Sequence, residues 1–187
     1  MSITRSASGT RALGRRAFWK VRDGGVSAPG GNSKVAAQGI RKLTAADAPL
    51  MEDILSLFGE AFGERETYDG ARPSRAYLER LLAREHFIAI AACEGGRVIG
   101  GIAAYALDKF ERERSEIYIY DLAVAATHRR RGVATAMIAA LQRIAAARGA
   151  DVIFVQADYE DPPAIALYTK LGVREEVLHF DIGVRRH

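Results

Sequence analysis

The sequence predicts an α/β domain, layered in the α+β manner, with a mixed central sheet flanked by helices. Three observations carry that expectation. Two apolar runs surround a Glu94-Gly95-Gly96-Arg97 hairpin turn, a dense β-branched and aromatic segment spans Ser115–Val124, and a strand–helix–strand succession follows it.

In chain order, Val35–Leu43 can supply a first strand. Thr44 and Asp47 offer N-cap oxygens and Pro49 suits an opening helical turn. Behind them Leu50, Ile54, Leu57, Phe58, Ala61 and Phe62 recur at helical spacing until Gly63. Ser74 opens a second short helix with Tyr77, Leu78, Leu81 and Leu82 on one side. His86–Cys93 and Val98–Leu107 are the arms of the hairpin. Gly132 begins a helix striped by Val133, Met137, Leu141, Ile144 and Arg148, which Gly149 ends. Asp151–Ala157 reads as a short buried strand, Asp161-Pro162-Pro163 as the cap and start of a helix through Lys170, and Val173–Ile182 as a last strand.

The chain has 187 residues and a net charge of +4, from 27 Lys+Arg and 23 Asp+Glu. Position divides that charge. Residues 1–40 hold seven bases against Asp23, a net +6, which leaves 20 bases and 22 acids, a net −2, in the remainder. Residues 1–35 form a Gly-, Ser- and Arg-rich arm too polar to fold alone, which suits a flexible extension. A nucleic-acid arm and an organelle transit peptide share that composition, whereas no apolar h-region follows the early arginines as a secretory signal requires. Residues 36–187 read as one domain. Cys93 is the single cysteine, which excludes a disulfide framework and a multi-thiolate zinc site. No stretch approaches the roughly 18 apolar residues of a membrane span. The expected location is the cytoplasm.

Chemistry concentrates where the Asp121-Leu122-Ala123-Val124 strand end runs through Ala125–Arg131 into the helix at Gly132. A helix N-terminus offers free N–H groups and a positive dipole end to an anion. Gly132 permits close backbone approach, Ala134 keeps the first turn open, and Arg129, Arg130 and Arg131 add charge. The plainer reading is a solvated basic turn; placement on a strand-to-helix junction weighs against it. Gly-x-x-x-x-Gly-Lys-Ser/Thr, Gly-x-Gly-x-x-Gly, Gly-x-Ser-x-Gly and His-Glu-x-x-His are all absent. His86, His128, His179 and His187 are not paired at ligand spacing, so no metal is expected.

Arg129-x-x-Gly132-x-Ala134 after a Leu-Ala-Val strand resembles the acetyl-CoA pyrophosphate loop of the GNAT acyltransferase superfamily. Ala164–Val173 is similar to the helix whose tyrosine, here Tyr168, lies beside the cofactor sulfur. Further segments narrow the likeness to class I aminoglycoside 3-N-acetyltransferases. These are Leu57–Gly63, Lys109-Phe110-Glu111, Arg114–Val124, Val155–Tyr159, Leu167–Gly172 and His179–Ile182.

The resemblance implies acetyl transfer from acetyl-CoA to the 3-amino group of a 2-deoxystreptamine ring, conferring resistance to gentamicin-type drugs. It places Leu122, Ala123, Val124, Arg129, Arg130, Arg131, Gly132, Val133, Ala134, Thr135, Ala164 and Tyr168 against acetyl-CoA, and no metal. The amine must lose a proton. Asp121 is the first choice for that base and Glu116 the second, with drug orientation as the plainer role for Asp121. Tyr168, whose unperturbed pKa of about 10 exceeds that of a thiol, is the candidate acid for the departing thiolate, or else a core aromatic. Glu60, Asp121, Asp158, Glu160 and Asp161 are the acids expected to meet the polycationic drug. Without the three loop arginines the body stands at −5, a bias towards a cation.

Two other functions share these motifs. One is the same transfer to another polyamine or a protein amine. The other is a non-enzymatic acetyl-CoA-binding regulator whose arm contacts nucleic acid. A homodimer is compatible with either enzyme; nucleic acid and membrane are not expected partners of the domain.

Overall fold

The computed structural model describes residues 39–185, so the arm at 1–35 and the start of the expected first strand lie outside the described residues. Those described divide into two compact units, residues 39–165 and residues 166–185.

The first unit is built on a five-stranded sheet. Its strands are β1 (Ile40–Lys42), β2 (Phe87–Glu94), β3 (Arg97–Asp108), β4 (Ser115–Val124) and β5 (Ala150–Val155), in spatial order β1-β2-β3-β4-β5. Pairing is antiparallel from β1 through β4 and parallel between β4 and β5. The hairpin closes at Glu94↔Arg97, with Gly95 and Gly96 at φ 57° and 78°, the left-handed values a two-residue turn demands.

Helices cover both faces. A 3₁₀ turn at Ala45–Asp47 leads into α1 (Ala48–Phe62), which Gly63 ends in the left-handed conformation at φ 69°. The short α2 (Arg65–Asp69), absent from the sequence reading, precedes α3 (Arg75–Leu82), where the Ser74 hydroxyl accepts from the Tyr77 N–H. α4 (Val133–Ala147) follows β4 and begins behind Gly132. Two adjacent glycines of β3 show that α1 and α4 lie on opposite faces. A Cβ on Gly100 would meet Met137 and Val133 of α4, at 3.0 and 3.2 Å, whereas one on Gly101 would stand 2.8 Å from Ile54 of α1. Neighbouring residues of a strand point to opposite faces. On the α1 face, Met51, Ile54, Phe58, Leu78, Leu82 and Phe87 form the centre of a buried cluster.

β5 is not the buried strand expected from its composition: none of its residues is fully buried and Phe154 stays 37% exposed. It is the last strand in the described sheet, so only β4 covers its ladder. α5 (Pro162–Leu171) carries the chain from the first unit into the second, and its first turn is capped by the Asp161 carboxylate accepting from the Ala164 N–H at 3.1 Å.

The expected last strand, Val173–Ile182, is not a strand in the structure. Its residue types suit one, and Arg174–Glu176 and His179–Asp181 pair two apart, as extended backbone allows. A strand is defined by its ladder, and among the described residues this segment has none. Leu178, Phe180 and Ile182 are accordingly exposed.

Candidate functional site

The site grows from two irregularities of β4. The first is in its pairing with β3, where Ala103 faces Asp121 and Ala104 faces Ile119, leaving Tyr120 as an extra residue. A bulge shifts the phase of a strand by one and bends it locally. Before it, Ile117 and Ile119 are buried outside the α1 cluster; after it, Ala123 belongs to that cluster. The bulge thus delivers the side chains of both Tyr120 and Asp121 to a cavity on the α1 face.

The second irregularity is on the other edge. The parallel ladder ends at Ile119↔Val155, so β4 runs on from Tyr120 to Val124 without β5 beside it. The Ala125 N–H donates to the Ile99 carbonyl of β3 at 2.9 Å. Alternation along the strand therefore turns the Leu122 and Val124 N–H groups towards the opened edge. The Val124 carbonyl is there as well, and accepts from Arg129 Nε at 3.2 Å.

Past this edge the chain turns through Ala125–Arg131 into α4. Arg130 and Gly132 sit at φ 61° and 80°, a conformation glycine takes freely and arginine rarely does. Gly132, at the N-cap of α4, has no side chain to cap the helix, and among the described residues no side-chain cap bond is made there. Val133 turns inward, buried against the sheet, while Ala134 and Thr135 complete the uncapped first turn. The loop is braced from the hairpin. Glu94 accepts from Arg131 Nη2 at 2.9 Å, and its other oxygen meets His128 Nε2 at 2.9 Å, with Thr127 Oγ1 2.8 Å from His128 Nδ1. These contacts, from His128 first, hold the Glu94 carboxyl below its ordinary range. The three arginines, alike in the sequence, are thus unlike here: Arg131 is ion-paired, Arg129 bonds to backbone, and Arg130 occupies the strained position.

The cavity at Asp121 is about 150 Å³. Asp121 is 8% exposed, and aromatic rings from α2, α3, β3 and β4 line the same space. Glu116, expected as a second base, lies roughly 15 Å back along β4. Its carboxylate is held by Arg114 at 2.9 Å and Lys109 at 3.3 Å, so it is committed to a charge network that does not reach the bulge. Glu60 lines a different opening, of about 350 Å³, with Asp53, Ser56 and Arg97. Asp158 and Glu160 are exposed in the turn before α5, and Asp161 serves as the cap described above. Ala164 and Tyr168 lie on α5, Tyr168 in the second unit. The sequence reading missed the tyrosines of the cavity; they come from four elements and share no spacing. It missed the bulge too, although the apolar sequence Ile117, Ile119, Leu122, Val124 changes phase there.

The acetyltransferase (GNAT) family model matches residues 51–173. The chain belongs to the GNAT acetyltransferase family. Among solved structures, an aminoglycoside acetyltransferase from an uncultured soil metagenomic sample is 64% identical, with a TM-score of 0.77 over 78% of this chain and 97% of that one. A second aminoglycoside acetyltransferase from such a sample, solved with sisomicin, is 28% identical, with a TM-score of 0.73 over 78% and 95%. A ribosomal-protein-alanine N-acetyltransferase from Brucella melitensis, at 22% identity and a TM-score of 0.62, over 78% of this chain and 99% of that one, shares the fold. No match is found among curated proteins.

Acetyl-CoA is the donor of this family, and the residues of this GNAT acetyltransferase fit it. A pyrophosphate suits an uncapped helix N-terminus behind a left-handed glycine, and an extended amide arm suits a strand edge with N–H and C=O groups left by a departing neighbour. Among the described residues no group of three His, Cys, Asp or Glu is arranged to hold a metal ion, and no helix is long and apolar enough to cross a membrane.

Proposed function

We propose that this acetyltransferase acetylates the 3-amino group of the 2-deoxystreptamine ring of gentamicin-type aminoglycosides, and so protects its host from them. The observation that carries the substrate class is the 64% identity to an aminoglycoside acetyltransferase across 97% of that chain. The resemblance of Leu57–Gly63, Arg114–Val124 and Val155–Tyr159 to the class I 3-N enzymes supports the position on the ring. The lining of the Asp121 cavity suits a cationic ring.

Bound acetyl-CoA supplies an acetyl group activated as a thioester. The chain has four tasks around it. The first turn of α4, from Gly132 through Val133, Ala134 and Thr135, holds the phosphates, with Arg129, Arg130 and Arg131 setting the local positive potential. Leu122 and Val124 offer N–H groups from the opened edge to an acyl oxygen as it gains negative charge; fixed donors of this kind need no reorganisation. Asp121, on the other side of the same strand segment, takes the proton from the drug's ammonium. Tyr168 provides a proton to the departing sulfur, an assignment that rests on the Ala164–Val173 motif. Loss of one cationic amine weakens a drug whose hold on ribosomal RNA is largely electrostatic.

The test is CoA release measured side by side with gentamicin, kanamycin, spermidine and a basic peptide. Gentamicin is expected to give the highest kcat/KM. Preferential turnover of spermidine or the peptide refutes the drug assignment in favour of a polyamine or protein acetyltransferase.

A further inference from the structure

We propose that the cavity beside Asp121 is an aromatic-walled receptor for a rigid ring bearing an ammonium, and that Tyr77 and Tyr105 make the enzyme prefer a ring amine to a flexible chain amine. The inference rests on the aminoglycoside reading and states how that substrate is recognised.

Four tyrosines line the space: Tyr68 from α2, Tyr77 from α3, Tyr105 from β3 and Tyr120 from the β4 bulge. Among the described residues that line it, Asp121 is the one that is formally charged, and no Lys, Arg or His is with them. Tyr105 and Tyr120 meet at 77° with centroids 6.0 Å apart, a corner that exposes one ring's face beside the other's edge. Neighbouring rings pack against these walls: Phe87 stands 5.2 Å from Tyr105, and Phe58 and Phe62 stand 6.0 and 5.9 Å from Tyr68. Burial raises the Tyr105 phenol above its ordinary value, and nearby Tyr77, Tyr120 and Asp121 add to the rise, so it stays neutral. The field in the cavity is then that of one carboxylate and several π faces.

That combination selects for shape as well as charge. An ammonium is drawn to ring faces and to the carboxylate. A six-membered ring with equatorial substituents also presents a flat C–H face that packs on a tyrosine, and it arrives already rigid. A chain polyamine supplies the charge without the face, and must give up its rotors to fit. The bulge is what makes the receptor possible. Without the extra residue at Tyr120, the alternation of β4 would turn Asp121 to the α4 face.

The test compares gentamicin and spermidine as acceptors for wild type, Tyr77→Leu, Tyr105→Leu and Tyr105→Phe. Tyr77 is 49% exposed, so its replacement leaves the core intact even where Tyr105→Leu disturbs it. Both leucine variants are expected to raise the gentamicin KM by about 2- to 30-fold, the span of a cation–π contact. The KM for acetyl-CoA should hold. The spermidine kcat/KM should fall by less than that of gentamicin, because a chain amine shares the cation–π contact but lacks the ring's C–H face. Tyr105→Phe, which keeps the ring, should restore the gentamicin KM. If wild type turns over gentamicin and both leucine variants keep its KM, or if spermidine suffers equally, this inference falls alone. If wild type turns over no aminoglycoside, it falls together with the reading beneath it.

Discussion

Gly101→Ala probes the geometry on which the acceptor side depends. Gly101 lies in β3 with its missing side chain aimed at α1, the helix that carries Met51, Leu55 and Phe58 of the cavity wall. An added Cβ would stand 2.8 Å from Ile54 Cγ2, 3.1 Å from Cγ1 and 3.3 Å from Cδ1. Carbon atoms rest at about 3.5 Å or more, so Ile54 must retreat by roughly 0.7 Å. Ile54 is fully buried, in one cluster with Met51 and Phe58 of the same helix. Overpacking of this kind costs about 1–3 kcal/mol, against which alanine recovers roughly 0.5–1 kcal/mol of glycine's backbone entropy. The net expectation is a loss centred near about 1 kcal/mol, with about 2.5 kcal/mol as its upper bound, or roughly 2–4 °C in Tm per kcal/mol for a domain of this size. Calorimetric melting of Gly101→Ala, Ile54→Ala and the double variant measures it. Ile54→Ala removes the atoms in the way, so the double variant should lose less than the two single losses combined. A Gly101→Ala protein as stable as wild type, or strict additivity within about 0.5 kcal/mol, refutes the claim that close approach of α1 requires a glycine.

Three further outcomes are expected. Asp121→Asn should lower kcat about 100- to 10,000-fold with the acetyl-CoA KM unchanged, in initial-rate assays; retention of kcat removes Asp121 from proton transfer. Tyr168→Phe should lower kcat roughly 10- to 1,000-fold, and an unchanged kcat with chemistry shown to be rate-limiting removes its acid role. Glu94→Gln should weaken CoA binding by calorimetry, at most about 5-fold for loss of an exposed charge pair at the loop, and leave the acceptor KM alone. The sign with pH follows from its lowered carboxyl. The brace is intact above the ordinary carboxylate range and is lost as the pH falls through the depressed value, which Glu94→Gln reproduces at neutral pH.

Much of the architecture was legible because local chemistry and tertiary context agree. Gly63 after α1, Ser74 before α3, the Gly95-Gly96 turn and Gly132 before α4 all act where the residue types direct them. Asp47, at the N-cap of α1, instead turns its carboxylate back to the Thr44 N–H and hydroxyl and makes no cap bond to the helix. The strand at Ser115–Val124 has the bounds its β-branched run predicts. Val173–Ile182 went the other way, since alternation specifies a face and not a partner. Apolar composition alone marks β5 as buried, although burial depends on what lies beyond it. At the candidate site, the anion loop was visible as contiguous sequence. Its internal division of labour was not, because Glu94 lies 37 residues from Arg131 and only the fold brings them to 2.9 Å. The acceptor side was least visible. Tyr68, Tyr77, Tyr105 and Tyr120 converge through packing of four elements, and the bulge that aims Asp121 at them leaves only a phase slip in the apolar pattern.

The central claim is that Asp121 and the opened edge of β4 direct acetyl to one amine of an aminoglycoside. Its most direct test is two-dimensional NMR of the gentamicin product formed by the full-length protein with acetyl-CoA. The account predicts a single acetamide on the 3-amino group of the 2-deoxystreptamine ring. Acetylation at another amine, or no acetylated drug while another amine is consumed, contradicts it.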